Sequence, residues 1–259
     1  MKKFLTEQGQ AWQPYTQGQG RMEATTELLR LINMVSTANE YSNAQIDDYA
    51  GSSRHAFRWH PPLTLTVQAR FSHSAGELRG TAGFGFWNDP FMMTGGRRPS
   101  LPRAIWFFYS SAASNMPLAL GVPGHGWKAA TIDAWRLPFF LLAPTAPIAV
   151  LLMRIPSFYR RFWPLGQRAI NVSEAIIPAS MTEWHTYRLE WGKQVARFYV
   201  DDKIILDCTT PPRGPLGLVV WLDNQAMVVT PQGQFRHMLV ATETSQWMEV
   251  AELDIKVMQ

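Results

Sequence analysis

Asp223 closes the segment Leu216-Gly-Leu-Val-Val-Trp-Leu-Asp223, in which period-two alternation puts it on the same face as Trp221 and Val219. A carboxyl group in such apolar company has a raised pKa and can act as a general acid or hold a ligand's donor. The competing reading is a β-bulge or hairpin stabilised by the Asp223 and Asn224 side chains. Asp89 stands in Trp87-Asn88-Asp89-Pro90, at the end of a strand near the expected cleft, where it is either an acid or ligand anchor or simply part of an Asn-Asp-Pro turn. Arg103 to Ser111 (RAIWFFYSS) contains no acid at all. Depending on register, its cleft face presents Ala104, Trp106, Phe108 and Ser110, or Ile105, Phe107 and Tyr109, and either set is mainly apolar or aromatic. His125, between Gly124 and Gly126, belongs to a flexible loop of the kind that often carries function. The candidate catalytic groups are thus Asp223 and Asp89. The candidate ligand contacts are Trp87, Asn88, Trp106, Phe108, Tyr109, His125, Trp221 and Asn224. None of the six histidines sits at a zinc-ligand spacing from a Cys, His or carboxylate, so neither a metal nor another cofactor is expected.

The elements that must position these residues are mostly strands. Leu63 to Phe71 (LTLTVQARF) alternates strictly, with Leu63, Leu65, Val67, Ala69 and Phe71 on one face. Gly80 to Trp87 (GTAGFGFW) and Arg103 to Ser111 offer few outward polar residues, as expected of strands covered on both faces. Tyr187 to Trp191 and Val195 to Val200 flank Gly192-Lys193 as a hairpin, and Asp201-Asp202 turns the chain into Lys203 to Asp207. Leu216 to Asp223 and Met248 to Met258 complete the set, while Glu27 to Val35 fits a strand or a short helix equally.

One stretch departs from this pattern. Leu137 to Met153 (LPFFLLAPTAPIAVLLM) carries no charge and is followed by Arg154, Arg160 and Arg161 among Phe158, Tyr159, Phe162 and Trp163. Pro138, Pro144 and Pro147 oppose a continuous membrane-spanning helix. Residues 134–168 read instead as a partly helical, lid-like insertion in one β-sandwich domain spanning 1–259. Its apolar face would pack on the cleft, or on lipid with the arginines at the headgroups. Charged residues are only 17% of the chain while tryptophans number 11 and phenylalanines 14, which implies a wide two-sheet core or an apolar cleft. The net charge of +4 comes without a Lys/Arg run or a nucleic-acid motif, so no nucleic-acid partner is expected. The single cysteine, Cys208, forbids an internal disulfide, and the first ten residues lack an apolar signal core. Both point to a cytoplasmic protein, peripheral to a membrane if Leu137 to Trp163 touches one.

Trp184-His-Thr-Tyr-Arg-Leu-Glu-Trp191, continuing to Phe198-Tyr-Val-Asp-Asp-Lys-Ile-Ile205, resembles the strand–turn–strand hallmark of laminarinase-like, family-sixteen glycoside hydrolases. The family pattern is W-H-x-Y-x-x-x-W followed by Y-V-D-G-K, and only the turn glycine departs, being Asp202 here. Leu65 to Phe71 with Gly83-Phe-Gly-Phe-Trp-Asn88 looks like the strand pair leading to the family's catalytic strand. The resemblance covers roughly residues 60–110 and 180–258 and implies an all-β fold: a concanavalin A-like jelly roll of two antiparallel sheets. These enzymes cut glycosidic bonds with two carboxylates on one strand, spaced E-x-D-x-x-E or E-x-D-x-E, close enough for retention. The matching segment here, Arg103 to Ser111, has neither, so the family's catalytic residues are not carried over.

The expected function is therefore the binding of a hydrophobic, lipid- or isoprenoid-like small molecule in the concave cleft. If chemistry occurs there, it would be non-hydrolytic acid catalysis such as isomerisation or cyclisation. The alternatives are carbohydrate binding or residual glycoside hydrolysis, and a membrane-peripheral scaffold using the insertion alone.

Overall fold

The computed structural model describes residues 12–92 and 98–258; the N-terminal segment that lacks an apolar signal core lies outside them. Strands are numbered along the chain. One seven-stranded antiparallel sheet has the order β1 (Gln13–Gln17), β4 (Asn43–Asp47), β13 (Gly217–Asp223), β6 (Thr81–Trp87), β7 (Arg103–Ser110), β8 (Gly126–Asp133) and β9 (Ser173–Ile176). The other, also of seven antiparallel strands, runs β12 (Lys203–Cys208), β11 (Ala196–Val200), β10 (His185–Trp191), β5 (Leu63–Phe71), β16 (Gln246–Val257), β3 (Leu29–Asn33) and β2 (Gly20–Ala24). A separate hairpin, β14 (Gln225–Val229) with β15 (Phe235–Leu239), follows β13. Helices α1 (Leu137–Leu142), α2 (Ala146–Leu152) and α3 (Pro156–Ala169) fill the connection from β8 to β9. The ambiguous Glu27 to Val35 segment resolves as strand β3.

Alternation decides what faces what. Leu63, Leu65, Val67, Ala69 and Phe71 of β5 are fully buried against Phe84, Phe86, Ile105, Phe107 and Tyr109 of the facing sheet. The intervening Thr64, Thr66, Gln68 and Arg70 are half-buried. In β16 a bulge between Val250 and Glu252 reverses the parity, so Met248 and Val250 enter the core before it and Leu253 and Ile255 pack on the core after it. The hairpin read from the sequence pairs Tyr187 with Val200 and Trp191 with Ala196. Asp201 and Asp202 take φ of 47° and 63°, the left-handed region that a two-residue hairpin turn requires.

β6 and β13 are buried along their whole length. One face of each belongs to the core between the sheets. The other is covered by a second apolar cluster of Tyr49, Phe57, Trp87, Ala104, Val219 and Trp221. That second cluster is where the site lies.

Candidate functional site

The floor of the site is aromatic because β6 makes room for it. Thr81, Gly83, Gly85 and Trp87 alternate with the core residues Ala82, Phe84 and Phe86; Gly83 lies between Trp221 of β13 and Phe108 of β7, and Gly85 between Val219 and Trp106. A Cβ on Gly83 would come within 2.8 Å of the Trp221 ring, and one on Gly85 within 2.6 Å of Trp106 Cβ. With both absent, the indoles lie over β6 with ring centroids 5.3 Å apart. Trp87 joins Trp106 at 5.7 Å, and Phe108 stacks on Trp106 at 5.1 Å. The register of the Arg103 to Ser111 segment, open from sequence, is thereby settled: Ala104, Trp106 and Phe108 face the cleft, and Ile105, Phe107 and Tyr109 face the core.

Above this floor lies a cavity of about 410 Å³, within the range of small-molecule sites. Phe139 of α1, Ile170 just past α3, and Met227, Val229 and Phe235 of the β14–β15 hairpin help to close it. The helical insertion thus contributes Phe139 to the cavity wall, and it is braced by Trp163 Nε1 donating to the Leu118 carbonyl at 2.8 Å.

Polar groups border the cavity at separated points. Asp223 Oδ1 accepts Thr81 Oγ1 at 2.8 Å, Gln225 N at 3.0 Å and Thr81 N at 3.2 Å. Trp221 Nε1 in turn donates to Thr81 Oγ1 at 2.9 Å, so the hydroxyl couples the floor to the acid. None of these donors reaches Oδ2. Burial pushes the Asp223 carboxyl up to about 6, the Thr81 and Gln225 hydrogen bonds opposing the rise. With a folded pKa above the unfolded value of about 3.9, the native state binds the extra proton. Its ionisation penalty is full above pH 6 and is relieved as pH falls toward 4. Asp223→Asn keeps an acceptor for Thr81 and loses the ionisation. The variant is therefore expected to match or exceed wild-type stability at pH 7 and to lose that advantage by pH 4, as read from paired urea titrations. A variant less stable at both pH values would mean that the carboxylate is a net structural asset.

Three and four strands away, about 14 and 19 Å along the sheet, Lys128 of β8 and Glu174 of β9 form a second polar point on the cavity wall. Their Nζ and Oε2 lie 3.4 Å apart, and the side chains are only 3% and 9% exposed. Burial lowers the Lys128 pKa and raises that of Glu174, each partly offset by the other's charge. An ammonium group has three donors, and one carboxylate at 3.4 Å leaves donor capacity for an oxygen in the cavity. Neither residue is among the candidates drawn from the sequence. The available signal is Trp-Lys-Ala-Ala-Thr-Ile-Asp133, an apolar strand with one lysine on its cleft face beside Ala130 and Ile132. Arg103 also borders the cavity, in an ion pair with Asp133 at 3.2 Å.

Of the expected site residues, Trp87, Trp106, Phe108, Trp221 and Asp223 come together around the cavity. Tyr109 does not. Its ring is in the core, and its hydroxyl sits 2.6 and 2.7 Å from the Ala75 and Leu78 carbonyls. Asn88 is a strap rather than a ligand contact: Nδ2 donates to Leu101 O at 2.9 Å and Oδ1 accepts Arg103 N at 2.9 Å. Asp89 is fully buried in a turn with φ of 44°, and its carbonyl takes Arg54 Nη2 at 2.6 Å, which is the turn reading. Asn224 accepts Ser42 N at 2.9 Å and donates to Glu40 O at 2.9 Å, tying loops together outside the cavity. His125 is exposed on its loop and does not border the cavity.

Neither face of β7 carries an acid. The cavity carboxyls Asp223 and Glu174 are four strands apart, about 19 Å along the sheet, against the roughly 5 Å that retaining hydrolysis needs.

No protein-family model and no curated protein matches the chain. Among solved structures, an endo-β-galactosidase from Clostridium perfringens that releases GlcNAcα1-4Gal aligns with 92% of this chain at 13% identity and a TM-score of 0.50. The alignment spans 57% of that enzyme, little more than half its length. The carbohydrate recognition domain of Emp47p (13% identity, TM-score 0.48) aligns over 95% of this chain and 88% of its own. A Bacillus licheniformis β-glucanase (10% identity, TM-score 0.48) aligns over 96% and 92%. The likeness is one of fold alone: the chain shares with the endo-β-galactosidase a sandwich of two antiparallel sheets.

Proposed function

We propose that the concave cavity binds an apolar small molecule bearing at least one oxygen function, and that Asp223 serves as a proton donor to it. The observation that carries this reading is a floor of three indoles and a phenyl ring, with Asp223 at one side of the cavity and the Lys128–Glu174 pair and Arg103 among the other polar groups that border it. A carboxyl group with a pKa near 6 is partly protonated close to neutrality and can donate at little cost. Protonation of a carbon–carbon double bond places positive charge on the ligand, and the faces of Trp106 and Trp221 stabilise such charge. If a neighbouring carbon then returns a proton to the Asp223 carboxylate, the net change is isomerisation or ring closure, with no water consumed and no cofactor required. Water exclusion by Phe139 and the hairpin protects the cation from hydration.

A second reading is carbohydrate binding. The likeness of fold to the endo-β-galactosidase favours it, as does the platform of Trp106 and Trp221, since indole faces also stack on sugar rings. Against it stands the mainly aromatic and aliphatic lining, in which several polar side chains are already paired with one another, because a sugar presents a hydroxyl at nearly every carbon. One pair of measurements separates the readings. Native mass spectrometry and solvent extraction of purified protein are expected to yield an apolar molecule that Trp106→Ala protein retains less well. Laminarin and lichenan are expected to be neither hydrolysed nor bound. Saturable saccharide binding lost in Trp106→Ala, with nothing apolar extracted, would replace the first reading by the second.

A further inference from the structure

The insertion turns an apolar face away from the cavity. Leu137, Leu141, Ile148, Leu151, Ile155 and Leu165 are each more than half exposed, and Trp135 beside them is 58% exposed. Single exposed aliphatic residues are ordinary, but six between positions 137 and 165, on three consecutive helices and the turn between two of them, are a density of exposed apolar side chains that points to an interaction surface. The charge of the same stretch is one-sided. Residues 134–168 contain Arg136, Arg154, Arg160, Arg161 and Arg168 and no Asp, Glu or Lys; all but Arg136 are exposed.

We propose that this outer face docks on an anionic lipid surface, with its aliphatic side chains among the acyl chains and its arginines among the headgroups. Three observations select that occupant. The stretch carries the two components of interfacial binding, apolar area and positive charge. No helix among the described residues is long and apolar enough to cross a membrane, and the short helices of the insertion suit contact with a surface. A second copy of the chain fits poorly, because a two-fold contact would set five arginines against five arginines with no acid from either stretch. The surface is independent of what the cavity holds, but its position bears on entry. Phe139 lines the cavity while its neighbours Phe140 and Leu141 face outward, so one short helix borders both.

The test is co-sedimentation of the full chain with phosphatidylcholine vesicles, with and without phosphatidylglycerol. Wild-type protein is expected to pellet with the mixed vesicles and much less with phosphatidylcholine alone. Arg160→Glu with Arg161→Glu should weaken partitioning roughly tenfold or more and abolish the preference for phosphatidylglycerol. Leu141→Glu with Ile148→Glu and Leu151→Glu should weaken it on both vesicles, and circular dichroism should show an unchanged fold because all three sites are exposed. Wild-type protein that stays in the supernatant with mixed vesicles would overturn the proposal, as would variants that pellet like wild type. Dimers dissolved by the leucine and isoleucine substitutions, without vesicle binding, would overturn it in favour of a contact between copies.

Discussion

Gly83→Val is expected to lower the stability of the protein by about 3 kcal/mol or more, or a thermal midpoint lower by roughly 10 °C. The reason is local. A Cβ at this position would lie 2.2 Å from the Phe107 carbonyl oxygen and 2.8 Å from the Trp221 ring. The carbonyl belongs to the adjacent strand, whose backbone cannot retreat without breaking the β6–β7 ladder, and the indole is wedged against Trp106 and Phe108. Either the pairing or the floor must yield, so surviving folded protein should also lose affinity for the apolar ligand proposed above. Gly76→Val is the control, since nothing lies within 4 Å of a Cβ there; it should melt with wild type. Calorimetry of the three proteins decides the matter, and a Gly83→Val midpoint equal to wild type would show that the glycines do not make the floor.

Removing one member of the Lys128–Glu174 pair should be nearly as costly. Glu174→Leu strands an ammonium in an apolar wall, and Lys128→Met strands a carboxylate. Loss of one buried partner costs about 3–5 kcal/mol, whereas replacing both with apolar groups is often neutral. Lys128→Met combined with Glu174→Leu should therefore be more stable than either single variant. The pH dependences of the single variants should have opposite signs. In Glu174→Leu the lysine's folded pKa lies below its unfolded value, so the unfolded chain holds more protons and the deficit narrows as pH rises toward about 10. In Lys128→Met the glutamate's folded pKa lies above its unfolded value, and the deficit narrows as pH falls toward about 4. Urea denaturation across that range measures both slopes. A double variant less stable than both singles would mean that the pair itself, rather than relief of stranded charge, holds the β8–β9 edge.

Much of this is legible in the residue order. Strict alternation in Leu63 to Phe71, the Trp184 to Trp191 hairpin and the glycine-spaced run before Trp87 identify the jelly roll, because each states a period of two in residues that bury well. The shared face of Trp221 and Asp223 follows from the same parity. What parity cannot give is the side of β7 that meets the cleft, since its two faces are almost equally aromatic; Tyr109 is misplaced for that reason. Asn88, Asp89 and Asn224 read as site residues because they follow cleft-lining strands. Their side chains or carbonyls are in fact spent on turns and straps, which is what polar residues at buried strand ends usually do. The Lys128–Glu174 pair escapes because its members are 46 residues apart with the helical insertion between them, and nothing local to either announces the other.

The packing of Trp87, Trp106 and Trp221, with neighbouring ring centroids 5.7 and 5.3 Å apart, has an optical consequence. Transition dipoles this close couple, so the three indoles absorb in part as one chromophore, whose circular dichroism depends on their mutual angles. An occupant resting on the floor changes those angles or the polarisability above them. The protein thus carries an intrinsic spectroscopic reporter at the place where a ligand would sit, one that needs no label and responds whatever the ligand's chemical identity.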